Sequence, residues 1–145
     1  VAYEAQAAIM LEMAAGTQPL DDLATGALLG KAARGPIAID SLIRMVVNDL
    51  KNGDPVGGIA AKFHAGLAEL FISAVKVARD ETGLNRVGLS GGVFQNARFF
   101  EYILERLENE KFDVLCHRHV PTNDGGLALG QVVVADAVLR QKKTP

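Results

Sequence analysis

The sequence predicts an open α/β fold, helix-rich with a small sheet, and three observations predict it. Arg86-Val87-Gly88-Leu89-Ser90 and Phe112-Asp113-Val114-Leu115-Cys116 are short strand-like apolar runs. Each is followed by a helical period, over 96–110 and over 126–140. A Gly-Gly pair lies between each strand and its helix, at Gly91-Gly92 and at Gly125-Gly126. Strand, helix, strand, helix is the repeating unit of an open sheet, in which ligands bind beyond the C-terminal strand ends.

The remaining elements follow in chain order. Glu4 to Ala15 carries Ala, Ile, Met and Leu at helical spacing, and Gly16 is a C-terminal stop. Residues 17–36 are punctuated by Pro19, Gly26, Gly30, Gly35 and Pro36 and read as loop, with a hairpin compatible with Ala27–Ala33. Asp40 or Ser41 can cap a helix with Leu42, Ile43, Val46, Val47 and Leu50 on its apolar face, ended by Asn52-Gly53. The longest helix is expected from Asp54-Pro55, with Asp as cap and Pro at the first helical position, to about Glu81, with Gly83 as its stop. Its apolar stripe is Ile59, Phe63, Leu67, Leu70, Val75 and Val77. The helix over 96–110 presents Phe99, Phe100, Ile103, Leu104 and Leu107 inward.

Composition narrows the function classes. The 145 residues suit one domain, able to bury roughly two thirds of its unfolded surface. A 49% hydrophobic and 22% charged chain is globular in type. The net charge of −2, the absence of Trp and a 6% aromatic content offer nothing to DNA or to a stacked nucleic-acid strand. No uninterrupted apolar run approaches ~20 residues, so no membrane span is expected. The one cysteine, Cys116, excludes an internal disulfide and suits a cytoplasmic location. The chain opens on Val1 inside a helical pattern, without Met or signal peptide, so it is expected to be a piece of a longer polypeptide.

Two segments carry chemistry. In Leu89-Ser90-Gly91-Gly92-Val93-Phe94-Gln95-Asn96, glycines after a strand allow positive φ and close approach of a ligand, and the next helix would turn its amides to a nucleotide or phosphate. The same residues also describe a tight turn with Asn96 as helix cap. In Pro121-Thr122-Asn123-Asp124-Gly125-Gly126, Asp124 suits an anionic cap or a metal-binding carboxylate beside a nucleotide.

Taken together, these runs closely resemble the C-terminal end of the hydrogenase maturation carbamoyltransferases (HypF). The second run extends from His117-Arg118-His119 through Asp124 to Leu129-Gly130-Gln131. Tyr3-Glu4-Ala5-Gln6-Ala7-Ala8 resembles the family's Tyr-Glu-Gly-Gln-Ala-Ala segment, and Ile59-Ala60-Ala61-Lys62-Phe63-His64 its Ile-Ala-Ala-x-Phe-His segment. The resemblance implies a single fragment, 1–145, that is the C-terminal lobe of an actin-like ATPase (ASKHA, RNase H-like) fold. It implies a carbamoyltransferase that uses ATP and carbamoyl phosphate, through carbamoyl adenylate, to carbamoylate the C-terminal cysteine of a HypE-like partner for cyanide ligand synthesis. On the matching positions, Glu4, Gly91, Gly92 and Asn96 would contact the nucleotide. Asp124 would ligate a divalent metal (Fe, Zn or Mg). O-carbamoyltransferases and threonylcarbamoyl-tRNA enzymes are the related alternatives, and a non-catalytic interaction module is the alternative from another class.

The chain departs from that pattern in two respects. The family's metal site also uses two histidines four residues apart, and His64, His117 and His119 do not have that spacing. The fragment would then hold part of the metal site and be inactive alone. Ala5 stands where the family usually has Gly. His64 reads as a helix-packing or supporting residue, and His117 and His119 as a solvated strand end. Cys116 reads as a small packed hydrophobe, not a nucleophile. Loss of a covering lobe would leave apolar surface, so self-association of the isolated chain is expected.

Overall fold

The computed structural model describes residues 2–20 and 39–141. The hairpin expected at 27–33 lies outside the described residues. Among these described residues, five helices and two strands follow in the order α1 (Gln6–Ala15), α2 (Asp40–Asn52), α3 (Val56–Thr82), β1 (Arg86–Leu89), α4 (Ala97–Asn109), β2 (Asp113–Cys116) and α5 (Leu127–Gln141). Short 3-10 turns, Gly92–Gln95 and Asp124–Gly126, precede α4 and α5.

The two strands pair in parallel, Arg86 against Asp113 through Leu89 against Cys116. β1 is less buried than its sequence suggests: Leu89 is buried, whereas Arg86 and Gly88 are exposed. Arg86 Nε instead bridges to Asp113 Oδ2 at 2.6 Å across the ladder.

Helix α3 is the axis of the molecule, with α1, α2 and α4 packed against it. It is long and apolar enough to cross a membrane by length and composition. Its buried face, however, lies among these neighbouring helices. That face differs from the expected large-residue stripe. Ala60, Ala61, Ala65, Gly66 and Ala68 are buried with Ile59 and Ile72, while Phe63, Leu67, Leu70, Val75 and Val77 are half-buried. Small residues win because α1 crosses closely: a Cβ on Gly57 would stand 3.0 Å from the Ala14 carbonyl oxygen.

Two apolar clusters result. Ala68 and Ile72 meet Leu89, Phe99, Ile103, Leu107 and Phe112, and this cluster clamps α4 and the sheet onto α3. Ala60, Ala61 and Ala65 meet Ala15 and Leu20. Half-buried ion pairs tie α2 and α4 to α3. Lys62 reaches Asp49 at 3.0 Å, and Arg106 reaches Glu69 at 2.7 Å. The hydrogen bond to Asp49 pushes the Lys62 ammonium above its ordinary range, and the bond to Glu69 does the same for Arg106.

Helix starts depart from expectation. Asp54 does not cap α3: Pro55 occupies the cap position without a side-chain bond, and Asp54 stands 3.7 Å from Lys62. Neither Asp40 nor Ser41 caps α2: Asp40 lies inside the first turn after Ile39, where its charge faces the positive helix end. Helix α1 begins at Gln6 because Ala5 takes the left-handed conformation, φ 60° and ψ 4°. Such backbone strains any residue with a Cβ, which gives the usual glycine of this position a physical reason.

Helix α5 stands apart. None of its residues is buried, and Leu127, Leu129, Val132, Val133, Val134, Val138 and Leu139 are exposed all round its circumference. A helix apolar on every side belongs inside a larger body.

Candidate functional site

The two glycine-bearing bends meet at the C-terminal ends of the strands. Gly91 N–H donates to the Thr122 carbonyl oxygen at 2.8 Å, which pins the segment after β1 to the segment after β2. Beside this bond opens a cavity of about 670 Å³, a volume in the range of small-molecule sites. Ser90, His117, Thr122, Asn123, Asp124 and Gln131 give it polar walls. Leu127, Val134 and Ala135 of α5 supply an apolar wall.

The glycines earn their places differently. Gly91 has φ +114°, a conformation closed to residues with a side chain, and it lets the chain turn out of β1. Gly92 is neither in positive φ nor crowded, so positive backbone dihedrals belong to one of the first pair, not both. Gly125 and Gly126 have ordinary φ, and crowding selects them instead. A Cβ on either would stand 3.0 Å from Pro121, at Cγ and at the carbonyl oxygen respectively.

Helix α4 does not open directly at the glycines. The 3-10 turn intervenes, and Asn96 caps the helix, its side chain accepting from Phe99 N–H at 2.9 Å. Its Nδ2 lies 2.9 Å from Nε2 of His64. His64 is buried, and its Nδ1 lies 2.7 Å from the Ala60 carbonyl oxygen. A carbonyl only accepts, so Nδ1 carries the proton and Nε2 accepts from Asn96. The sequence reading of His64 as a helix-packing residue agrees with this arrangement. Both polar ends of Asn96 are therefore committed to holding α4 against α3.

Asp124 lies on the cavity wall, exposed, with no hydrogen-bond partner for its carboxylate among the described residues. Capping falls instead to Asn123, whose Oδ1 accepts from Gly125 N–H at 3.1 Å. The lone pairs of Asp124 remain available to a cation. Among the described residues, no group of three or more His, Cys, Asp or Glu could hold a metal.

The expected residues thus divide. Gly91 and Asp124 share the cavity wall, and Gly92 follows directly on the bend. Glu4, exposed in the turn before α1, and Asn96 are not among the described residues lining it. The structure adds a pair that sequence reasoning missed: Ser90 Oγ lies 3.0 Å from His117 Nε2. His117 is therefore more than a solvated strand end. Its distance of 27 residues from Ser90 leaves no local signal, although Ser90 ends one strand-like run and His117 follows the other. Cys116 is half-buried, and burial pushes its thiol up, which suits packing and not attack.

This geometry defines a class first: an α/β lobe with a ligand cavity at the C-terminal ends of parallel strands. The comparisons with known proteins then name the family. Residues 1–131 match the second subdomain of the carbamoyltransferase Kae1-like domain. The carbamoyltransferase HypF of Rhodobacter capsulatus is 34% identical over 138 residues, and that of Synechocystis sp. is 29% identical over 133. The chain covers 94% and 92% of itself in these matches but 17% of each relative. A full-length HypF crystallised in a phosphate- and nucleotide-bound form superposes with a TM-score of 0.76 and 31% identity, over 96% of this chain and 18% of that one. The crystal structure of HypF from T. kodakarensis shares the fold at a TM-score of 0.67 and 22% identity, over the same shares of the two chains. The chain belongs to the HypF carbamoyltransferase family and has the fold of the second subdomain of its Kae1-like domain.

Proposed function

We propose that the polypeptide carrying this chain is a cytoplasmic carbamoyltransferase of [NiFe]-hydrogenase maturation. It uses ATP and carbamoyl phosphate, by way of carbamoyl adenylate, to carbamoylate the C-terminal cysteine of a HypE-like acceptor for cyanide ligand synthesis. This chain supplies one wall of the site. The observation that carries the reading is the bond from Gly91 to Thr122, which sets the glycine bend and Asp124 on one cavity at the strand ends.

Each residue has a task that suits its chemistry. Gly91 and Gly92 let the nucleotide approach the backbone, and Glu4 offers a carboxylate to ribose hydroxyls. Asn96 steadies the start of α4 through Phe99 and His64 and keeps one amide hydrogen for the nucleotide. Asp124 offers one oxygen ligand to a divalent cation, which when bound would polarise a phosphate or carbamoyl oxygen. An adenylate already has a good leaving group, so the protein's share is chiefly to orient the acceptor and keep water out. The apolar wall of α5 serves that exclusion.

The test is ATP-dependent transfer from carbamoyl phosphate to a HypE-like acceptor ending in cysteine, followed by the acceptor's mass, in the full-length polypeptide. Asp124→Ala is expected to lower transfer by about 10²-fold, the scale of losing one group that stabilises developing charge. Undiminished transfer in both Asp124→Ala and Asn96→Ala would overturn the site assignment.

A further inference from the structure

The parallel ladder ends with Leu89 opposite Cys116, so Ser90 and His117 are the next residues of their strands. Adjacent strands run ~4.8 Å apart, and side chains at matched positions share a face. That register brings Ser90 Oγ to 3.0 Å from His117 Nε2. Both residues are exposed, and both line the cavity that holds Thr122 and Asp124. The bond buries neither group, so the core gains nothing from it. A hydroxyl held against an imidazole nitrogen at the wall of a ligand cavity is, however, the arrangement that moves protons during group transfer.

We propose that Ser90 and His117 form the proton relay of the transfer step, a deepening of the carbamoyltransferase reading that rests on it. The acceptor's sulfur bonds to the carbamoyl carbon. The bond from that carbon to the adenylate phosphate oxygen breaks, and AMP leaves with the electron pair. The thiol proton passes to Ser90 Oγ as the Ser90 hydroxyl proton passes to His117 Nε2, and the exposed imidazolium then returns one proton to solvent. The relay uses the tautomer in which Nδ1 carries the ring proton and Nε2 accepts from Ser90. Ser90 meets the acceptor and is the catalytic residue; His117 acts through it and positions it.

The experiment uses the full-length polypeptide with ATP, carbamoyl phosphate and a HypE-like acceptor ending in cysteine. Ser90→Ala and His117→Asn are expected to lower kcat for transfer by about 10²-fold, the scale of general acid–base assistance. The KM for ATP should stay within about twofold, and unchanged circular dichroism and thermal unfolding show that the variants are folded. Ser90→Thr, which keeps the hydroxyl, should retain transfer, and added imidazole should partly restore His117→Ala. Normal kcat in Ser90→Ala or His117→Asn overturns the relay. So does a rise in KM for ATP with unchanged kcat, which would mean that the pair only shapes the cavity. Absence of transfer in the wild-type protein overturns the carbamoyltransferase reading itself, a distinct result.

Discussion

Asn96 is tied at both ends, so its removal has a cost that can be worked out. Its Oδ1 satisfies Phe99 N–H at the start of α4, and its Nδ2 satisfies Nε2 of the buried His64, each at 2.9 Å. Asn96→Ala forfeits the cap, at about 0.5–2 kcal/mol. It also leaves a buried ring nitrogen without a donor, at about 1–3 kcal/mol. The expected loss is about 2–4 kcal/mol in all, given that the two contacts share one side chain. Asn96→Asp separates them. A carboxylate still accepts from Phe99 and its charge suits the helix start, but it has no hydrogen for His64, so the loss falls to about 1–2 kcal/mol. Urea unfolding followed by circular dichroism measures both, as shifts in midpoint at constant slope. A loss below about 0.5 kcal/mol for Asn96→Ala would refute the double role, since a cap alone costs that much.

Three further outcomes are expected. Ala5→Gly should raise stability by about 0.5 kcal/mol in the same assay, because relief of about 1–2 kcal/mol of left-handed strain exceeds an unfolded-state entropy cost of about 0.4–1 kcal/mol. The hydrogen bond from Lys76, 2.7 Å long, holds the Glu110 carboxyl below the usual carboxylate range. Its stabilisation is therefore present above the unfolded-state pKa and lost as pH falls through the folded one. Lys76→Met should remove that acid-side loss, a term below about 1 kcal/mol for so exposed a pair, read from unfolding midpoints at neutral and acid pH. The isolated chain is expected to self-associate through α5, and Val133→Asp to shift it toward monomer in sedimentation; a wild-type chain that stays monomeric at high concentration refutes this.

Much of the fold was legible locally, and the exceptions share a cause. Gly53 and Gly83 end α2 and α3 with positive φ where the helical periods stop. Of the expected α4 face, Phe99, Ile103 and Leu107 are buried as the spacing requires, while Phe100 and Leu104 are half-buried. On α3 the small residues are buried and most of the large ones only half-buried, so size does not mark its inner face. The close crossing of α1 over Gly57 selects alanine there, and nothing within α3 announces that neighbour. The candidate site behaves likewise. The Gly91 bend and Asp124 were visible as turn chemistry, whereas Asn96 showed itself as cap and nucleotide ligand alike until His64 took its second hydrogen-bonding group.

The sequence by itself determined the order of elements, the turns that separate them and the family, because these rest on spacing along the chain and on conformations particular to single residue types. The tertiary structure decided which groups meet. Ser90 joins His117, Asn96 joins His64 and Gly91 joins Thr122 because strand register and helix packing bring together residues 27 to 32 apart. Hydrogen bonds act over about 3 Å, so no pattern along the chain encodes such meetings until the chain has folded.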